Sequence, residues 1–339
     1  MTLFLSKRPE LAIDFGTANL RLISPDAGVI FDEPSLCCFA DYRTNPRLVA
    51  AGTDAVSMID RTPQSLQVRR PLRRGVLQDI PTAADLLRYA VPKALGRKSV
   101  RALRTLIGVP SDATQAECRA LLTAANDAGL NVVRLLPEPL LAAVGAGAQI
   151  EAPAGVLLVE CGAGTTEVAV MSLGAICLTR SVRVGGAALN QAIADHLHLH
   201  HKLLIGDPTA ERIKRDYSAR PRGSAIQGDI IQVRGRSLIS MAPASLDVAV
   251  AELDRVIERH IRQIIHTIRE VLNLTPPELS HDLHSNGVLL TGGSAIMPHL
   301  DTMIEKEIGL PAVIAESPAL CVARGLHRAL RAPGIGYAA

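Results

Sequence analysis

Two stretches decide the fold. One is Leu11-Ala-Ile-Asp14-Phe-Gly16-Thr17-Ala18-Asn19. The other is Val156-Leu-Leu-Val-Glu160-Cys161-Gly162-Ala163-Gly164-Thr165-Thr166. Each is an apolar run that ends on an acid, followed by one residue, a glycine, small residues and a hydroxyl or amide. A second apolar run follows each, Asn19 to Ile23 and Glu167 to Met171. The connections are too short for anything but a hairpin turn. Asp14 and Glu160 lie 146 positions apart in 339 residues. A strand–acid–glycine turn repeated after nearly half the chain reads as an internal duplication, with both acids and both turns facing one cleft.

The surrounding sequence fills in α/β layers. Val29 to Phe31 and Leu36 to Phe39 read as strands, and the polar, Arg-rich stretch from Asp41 to Arg74 as a small peripheral lobe. Leu103 to Val109 reads as a strand, followed by a helix capped by Ser111 or Asp112 that stops at Gly129. Asn131 to Leu136 is a further strand, Pro139 to Ala148 a helix, and Pro153-Ala-Gly155 a joint. Apolar residues recur every three or four positions from Leu246 to Leu272, predicting one long helix stopped by Pro276 and Pro277. Gly287 to Leu290 is a strand leading into Thr291-Gly292-Gly293-Ser294 and a helix from about Ala295. The expected division is residues 1–150, with a small lobe around 32–75, and residues 151–339, with a small lobe around 190–240.

Composition narrows the function. Four Phe, four Tyr and no Trp leave few platforms on which bases could stack, and a net charge of +3 is too small to imply nucleic acid. The start of the chain does not read as a signal peptide, and no apolar stretch is long enough for a transmembrane helix. The six cysteines lack CxxC spacing and mostly sit in apolar runs, so they read as buried thiols of a cytoplasmic protein.

Glycine turns present backbone N–H groups with no Cβ in the way, a shape suited to phosphate oxygens. Gly16, Thr17, Ala18 and Asn19 form one such nest. Gly162, Ala163, Gly164, Thr165 and Thr166 form the other. Acids beside a phosphate site make sense when Mg²⁺ sits between, so Asp14 and Glu160 are expected to hold the metal through water. Gly292, Gly293 and Ser294, between a strand and a helix, suit a nucleoside. Any one of these turns alone is more often an ordinary tight turn; the three together, with matched acids, favour a nucleotide.

With these motifs the chain resembles the actin-like ATPase superfamily and, within it, the MreB family of bacterial actin homologues. The ordered set also includes Glu33-Pro-Ser35, Arg61-Thr-Pro63, Gly75-Val76, Val109-Pro110, Glu138-Pro139, Arg183-Val-Gly-Gly186, Ala210-Glu-Arg-Ile-Lys214 and Cys321-Val-Ala-Arg-Gly325. The resemblance implies a duplicated, bilobed, ribonuclease H-like α/β fold with ATP or ADP and Mg²⁺ in the cleft. It implies a cytoskeletal subunit that polymerises with itself and scaffolds cell shape at the inner face of the plasma membrane. It assigns Glu138 to orient the attacking water, and Glu211 and Lys214 to flank ribose and adenine. A surface i,i+3 ion pair is the plain alternative for Glu211 and Lys214.

Three positions depart from the family pattern. Glu160 stands where the family usually has Asp, Ala163 where it has Gly, and Ala187 where Asp follows Gly186. An extra methylene moves a carboxylate by about 1 Å, and a misplacement of that size can cost on the order of 100-fold in rate. Nucleotide binding with slow or altered hydrolysis is therefore expected. The run Asp195-His196-Leu-His198-Leu-His200-His201 suggests metal ligation, but no acid or cysteine nearby completes a set, and a solvated helix face is the expectation. Leu3, Phe4 and Leu5 beside Lys7 and Arg8 suit contact with anionic lipid. A sugar or acetate kinase of the same fold is the alternative function. A chaperone-like ATPase is disfavoured because the stretch after Gly293 is short for a peptide-binding domain.

Overall fold

The computed structural model describes residues 9–41, 46–96, 103–219 and 229–332. The expected lipid contact through Leu3, Phe4 and Leu5 lies outside them. The chain opens with β1 (Leu11–Phe15), β2 (Asn19–Ser24) and β3 (Gly28–Pro34). It continues through β4 (Cys37–Ala40), β5 (Arg47–Ala51), the short α1 (Thr53–Val56), β6 (Leu66–Arg69), β7 (Leu72–Arg73) and β8 (Val76–Leu77). Then come α2 (Ile80–Leu95), β9 (Leu103–Val109), α3 (Gln115–Asp127), β10 (Leu130–Pro137) and α4 (Glu138–Ala146).

The pattern restarts with β11 (Val156–Cys161), β12 (Thr166–Ser172) and β13 (Ala175–Val182). These lead to α5 (Gly186–His201), β14 (Leu203–Leu204), α6 (Asp207–Ser218), β15 (Ile230–Ser237) and β16 (Pro243–Ala249). The chain ends with α7 (Val250–Leu274), α8 (Pro277–Asn286), β17 (Val288–Thr291), α9 (Leu300–Ile308), β18 (Ala312–Ile314) and α10 (Cys321–Arg331).

Two five-stranded sheets carry the duplication. One runs β10-β9-β1-β2-β3, the other β18-β17-β11-β12-β13. In both, the acid-tipped strand pairs antiparallel with its hairpin partner and parallel with the strand on its other side. The turns close identically: Gly16 N–H donates to Asn19 O at 3.0 Å and Gly162 N–H to Thr165 O at 2.8 Å. Smaller sheets, β5-β4-β6 and β14-β15-β16, sit beside them. β1 and β11 are buried at nearly every position, which is why they read as unbroken apolar runs rather than alternating ones.

Three element ends differ from the sequence reading. Thr114, not Ser111 or Asp112, caps α3: its hydroxyl accepts from Glu117 N–H, while the Glu117 carboxylate accepts from Thr114 N–H. The long helix starts at Val250, because Leu246 belongs to β16 and pairs with Val233. Residues 295–299 form hydrogen-bonded turns, and α9 begins only at Leu300, beyond Pro298. Of the cysteines, Cys177 is exposed, facing outward from the edge strand β13.

Candidate functional site

The turns that follow β1 and β11 line one cleft. It is lined by Asp14, Gly16, Thr17, Ala18 and Asn19 from one hairpin, and by Glu160, Gly162, Ala163, Gly164 and Thr165 from the other. Glu138, Gly292 and Gly293 line the same cleft. The turns are locked through Gly75, whose N–H donates to Thr17 Oγ1 at 3.0 Å. Gly164 packs directly on Gly75 and Thr17, so closely that a Cβ there would overlap the Gly75 nitrogen and the Thr17 hydroxyl. Ala163, where the family usually has glycine, is not among the residues with left-handed φ, so its methyl adds no backbone strain.

Four predicted residues stand just outside the lining. Thr166 Oγ1 donates to Val184 O at 2.6 Å and is buried. Ser294 Oγ donates to Gly162 O at 3.0 Å. Lys214 Nζ reaches Gly186 O at 3.2 Å and Glu211 Oε2 at 2.6 Å. Glu211 also accepts from Asn190 Nδ2 at 2.8 Å and Arg215 Nε at 2.8 Å. Burial pushes the Glu211 carboxyl up, but Lys214, Asn190 and Arg215 outweigh it and hold the pKa at about 2.

The carboxylates are not arranged as a matched pair. Asp14 Oδ2 accepts from Arg21 at 2.9 Å, and Arg21 also binds Asp32 at 3.1 Å. The acids that converge are Glu138, Glu160 and Glu167, whose carboxylate oxygens lie within 4.8 Å of one another. Glu167 faces Glu160 across the hairpin, in the register position that Arg21 holds opposite Asp14. Sequence reasoning missed both residues, although the short turn fixes the register and makes them countable. Ser111, expected to cap a helix, instead holds Glu167 Oε1 through its N–H at 2.8 Å and its hydroxyl at 2.5 Å.

Burial, then the charges of its neighbours, raises Glu138 and Glu160 well above the ordinary carboxylate range. Burial carries Glu167 to about 7 against the pull of Ser111. Burial likewise raises Asp14 in spite of Arg21. Glu160 Oε2 and Glu167 Oε2 are buried with no hydrogen-bond partner. Three converging acids, two with orphaned oxygens, cannot all be ionised without a cation among them, so this site fits a divalent, oxygen-ligated metal.

A family model described as MreB/Mbl protein matches residues 8–334. The cell shape-determining protein MreB of Escherichia coli (strain K12) is 37% identical over 327 residues, 95% of this chain and 93% of that protein. The cell shape-determining protein Mbl of Bacillus subtilis (strain 168) is 33% identical over 316 residues, 93% of this chain and 94% of that protein. MreB5 of Spiroplasma citri bound to AMPPNP has a TM-score of 0.86 and 30% identity, covering 96% of both chains, and its ADP-bound form has the same TM-score. With the duplicated actin-like fold and the ordered motifs, these matches place the chain in the MreB/Mbl family.

Proposed function

We propose that the chain is an ATP-binding cytoskeletal subunit that assembles head to tail into filaments and takes part in determining cell shape. The observation that carries the reading is the meeting of the Thr17 and Gly164 turns through Gly75 over three converging acids. Relatives named for cell-shape determination and a relative solved with AMPPNP and with ADP support it. Bound nucleotide would bridge the parts of the chain on either side of the cleft, taken as residues 1–150 and 151–339. That would favour the form whose head and tail surfaces match, and contacts that do not close give open polymers. No helix among the described residues is long and apolar enough to cross a membrane. Attachment to the inner membrane face is assigned to Leu3, Phe4 and Leu5.

In this reading the turns around Gly16 and Gly162 bind the phosphates through backbone N–H groups. Glu160 and Glu167 would hold Mg²⁺, which would supply neutralisation of phosphate charge. Arg21 neutralises Asp14, keeping that acid from repelling phosphate. Glu138, at the start of α4, aims the attacking water and accepts its proton. Glu211 and Lys214 hold the loop at Gly186 beside the nucleoside, with Gly292, Gly293 and Ser294 opposite. Hydrolysis is slow because Glu160 reaches about 1 Å farther than an aspartate would.

Electron microscopy and pelleting with Mg-ATP test assembly, with filaments expected. A soluble monomer that phosphorylates a sugar or acetate would establish the kinase alternative. Phosphate release tests hydrolysis: Glu160→Asp is expected to raise the rate by on the order of 10-fold or more, and Glu138→Gln to abolish it with nucleotide binding retained. An unchanged rate in Glu160→Asp would remove the explanation for slowness.

A further inference from the structure

A second group of metal-ligating side chains stands apart from the cleft. Glu252, in the first turn of α7, meets His196 and His201, near the end of α5. Its Oε2 lies 2.7 Å from His201 Nε2 and 3.2 Å from His196 Nε2, and the three ligand atoms lie within 4.8 Å of one another. Residues five apart on a regular helix point about 140° from each other. Here His201 ends α5, and Lys202 turns the chain into the left-handed region at φ 52°. The His196 and His201 rings meet edge to face at 5.9 Å between centroids, and the His200 ring lies 4.6 Å from His196. The acid missing from the sequence neighbourhood of the histidines is thus supplied by a helix that starts about 50 residues later.

We propose that His196, His201 and Glu252 bind one divalent transition-metal cation of the zinc class. Two imidazoles and one carboxylate are donors that suit zinc, cobalt or nickel, whereas magnesium and calcium prefer oxygen throughout. Four-coordinate zinc, with bonds of about 2.0–2.1 Å, sets its ligand atoms about 3.3 Å apart. The separations of 2.7 and 3.2 Å reach that by small side-chain rotations. Three protein ligands leave a fourth position open, as in zinc sites that exchange water. The negative end of the α5 dipole, at the helix C-terminus, favours a cation at this spot and offsets the positive N-terminal end of α7 beside Glu252.

The bound metal fastens the far end of α5 to α7. The near end of α5 is fixed in the cleft, where Gly186 N–H donates to Gly162 O at 3.1 Å and Ala187 N–H to Ala163 O at 2.9 Å. The metal therefore secures, at its remote end, the helix whose first residues hold the Gly162–Ala163 turn.

The test is calorimetric titration of untagged, chelator-stripped full chain with zinc chloride alone, backed by the visible ligand-field spectrum of cobalt(II). One equivalent of zinc, a four-coordinate cobalt spectrum and a rise in Tm are expected. Glu252→Gln and His201→Asn should each weaken uptake by about 10-fold or more, while His198→Asn, one of the neighbouring histidines outside the triad, should leave it unchanged. Melting of the metal-free variants shows that each is folded. Absence of zinc uptake at micromolar concentration would overturn the proposal. So would uptake that persists in both triad variants and disappears in Glu138→Gln, which would assign the zinc to the cleft.

Discussion

Glu167 illustrates how much the cleft depends on charge at single positions. Its carboxyl is buried and its pKa is raised from 4.5 to about 7, so the folded chain holds this proton more tightly than the unfolded chain does. Stability from that proton is fully present below about pH 4.5 and is lost as pH rises through about 7. At about 1.4 kcal/mol per pKa unit the loss amounts to roughly 3 kcal/mol. Glu138 and Glu160 shift in the same direction. The urea midpoint of nucleotide-free protein in chelator should therefore fall between pH 5 and pH 8, and Glu167→Gln should flatten that slope. A flat wild-type profile would mean that the folded chain binds no more protons at these acids than the unfolded chain does. Residues of this kind are half legible in sequence. Asp14 and Glu160 announce themselves by ending apolar strands before glycine turns. Arg21 and Glu167 become visible only when the hairpin register is counted back from the turn, and Ser111 only when β9 and β12 are seen to approach.

At the scale of elements, the close approach of α4 and α10 ties the two sheets together. α10 lies against β1, β2 and β3, although it follows the second sheet in sequence, while α4 lies against β11, β12 and β17. The helices cross at glycines: a Cβ on Gly145 would overlap the Cys321 carbonyl, and a Cβ on Gly325 the Leu141 carbonyl. The Arg328 guanidinium donates to the Val144 carbonyl at the same crossing. Backbone cannot yield as a flexible side chain does, so Gly325→Val should destabilise the chain by about 3 kcal/mol or more, at or beyond the top of the usual overpacking range. Urea unfolding measures this, and a cost under about 0.5 kcal/mol, the size of an ordinary surface change, would show that the helices can slide apart. Buried strands such as β1 and β11 were readable as apolar runs bounded by turns. Helix starts were less so. Leu246 fits both the two-residue alternation of β16 and the helical stripe continued by Leu253 and Ile257, and only its pairing with Val233 decides between them. The packing of α4 on α10 joins residues nearly two hundred positions apart and leaves no local pattern beyond two glycines.

For the whole molecule, the question is what keeps the cleft closed. One contact across it is the ion pair of Arg70 with Asp207 at 3.4 Å, with side chains 38% and 53% exposed. Such a pair is worth at most about 1 kcal/mol and is weakened by salt. Another is the packing of Gly164 on Gly75 and Thr17, backed by the Gly75–Thr17 hydrogen bond and by Arg183 donating to Arg74 O at 2.8 Å. Buried backbone contact outweighs an exposed ion pair, so closure rests on the glycine. Gly164→Val should hold the turns apart and lower ATP affinity by about 10-fold or more, equivalent to about 1.4 kcal/mol. Its circular dichroism should be unchanged, because the open form has room for the side chain. Arg70→Ala should shift affinity by no more than about 2-fold, in keeping with the small value of exposed pairs. Titration calorimetry with Mg-ATP on both variants decides. Equal affinity in Gly164→Val and wild type would show that nucleotide binds without closure, and a larger loss in Arg70→Ala than in Gly164→Val would place the latch at the surface.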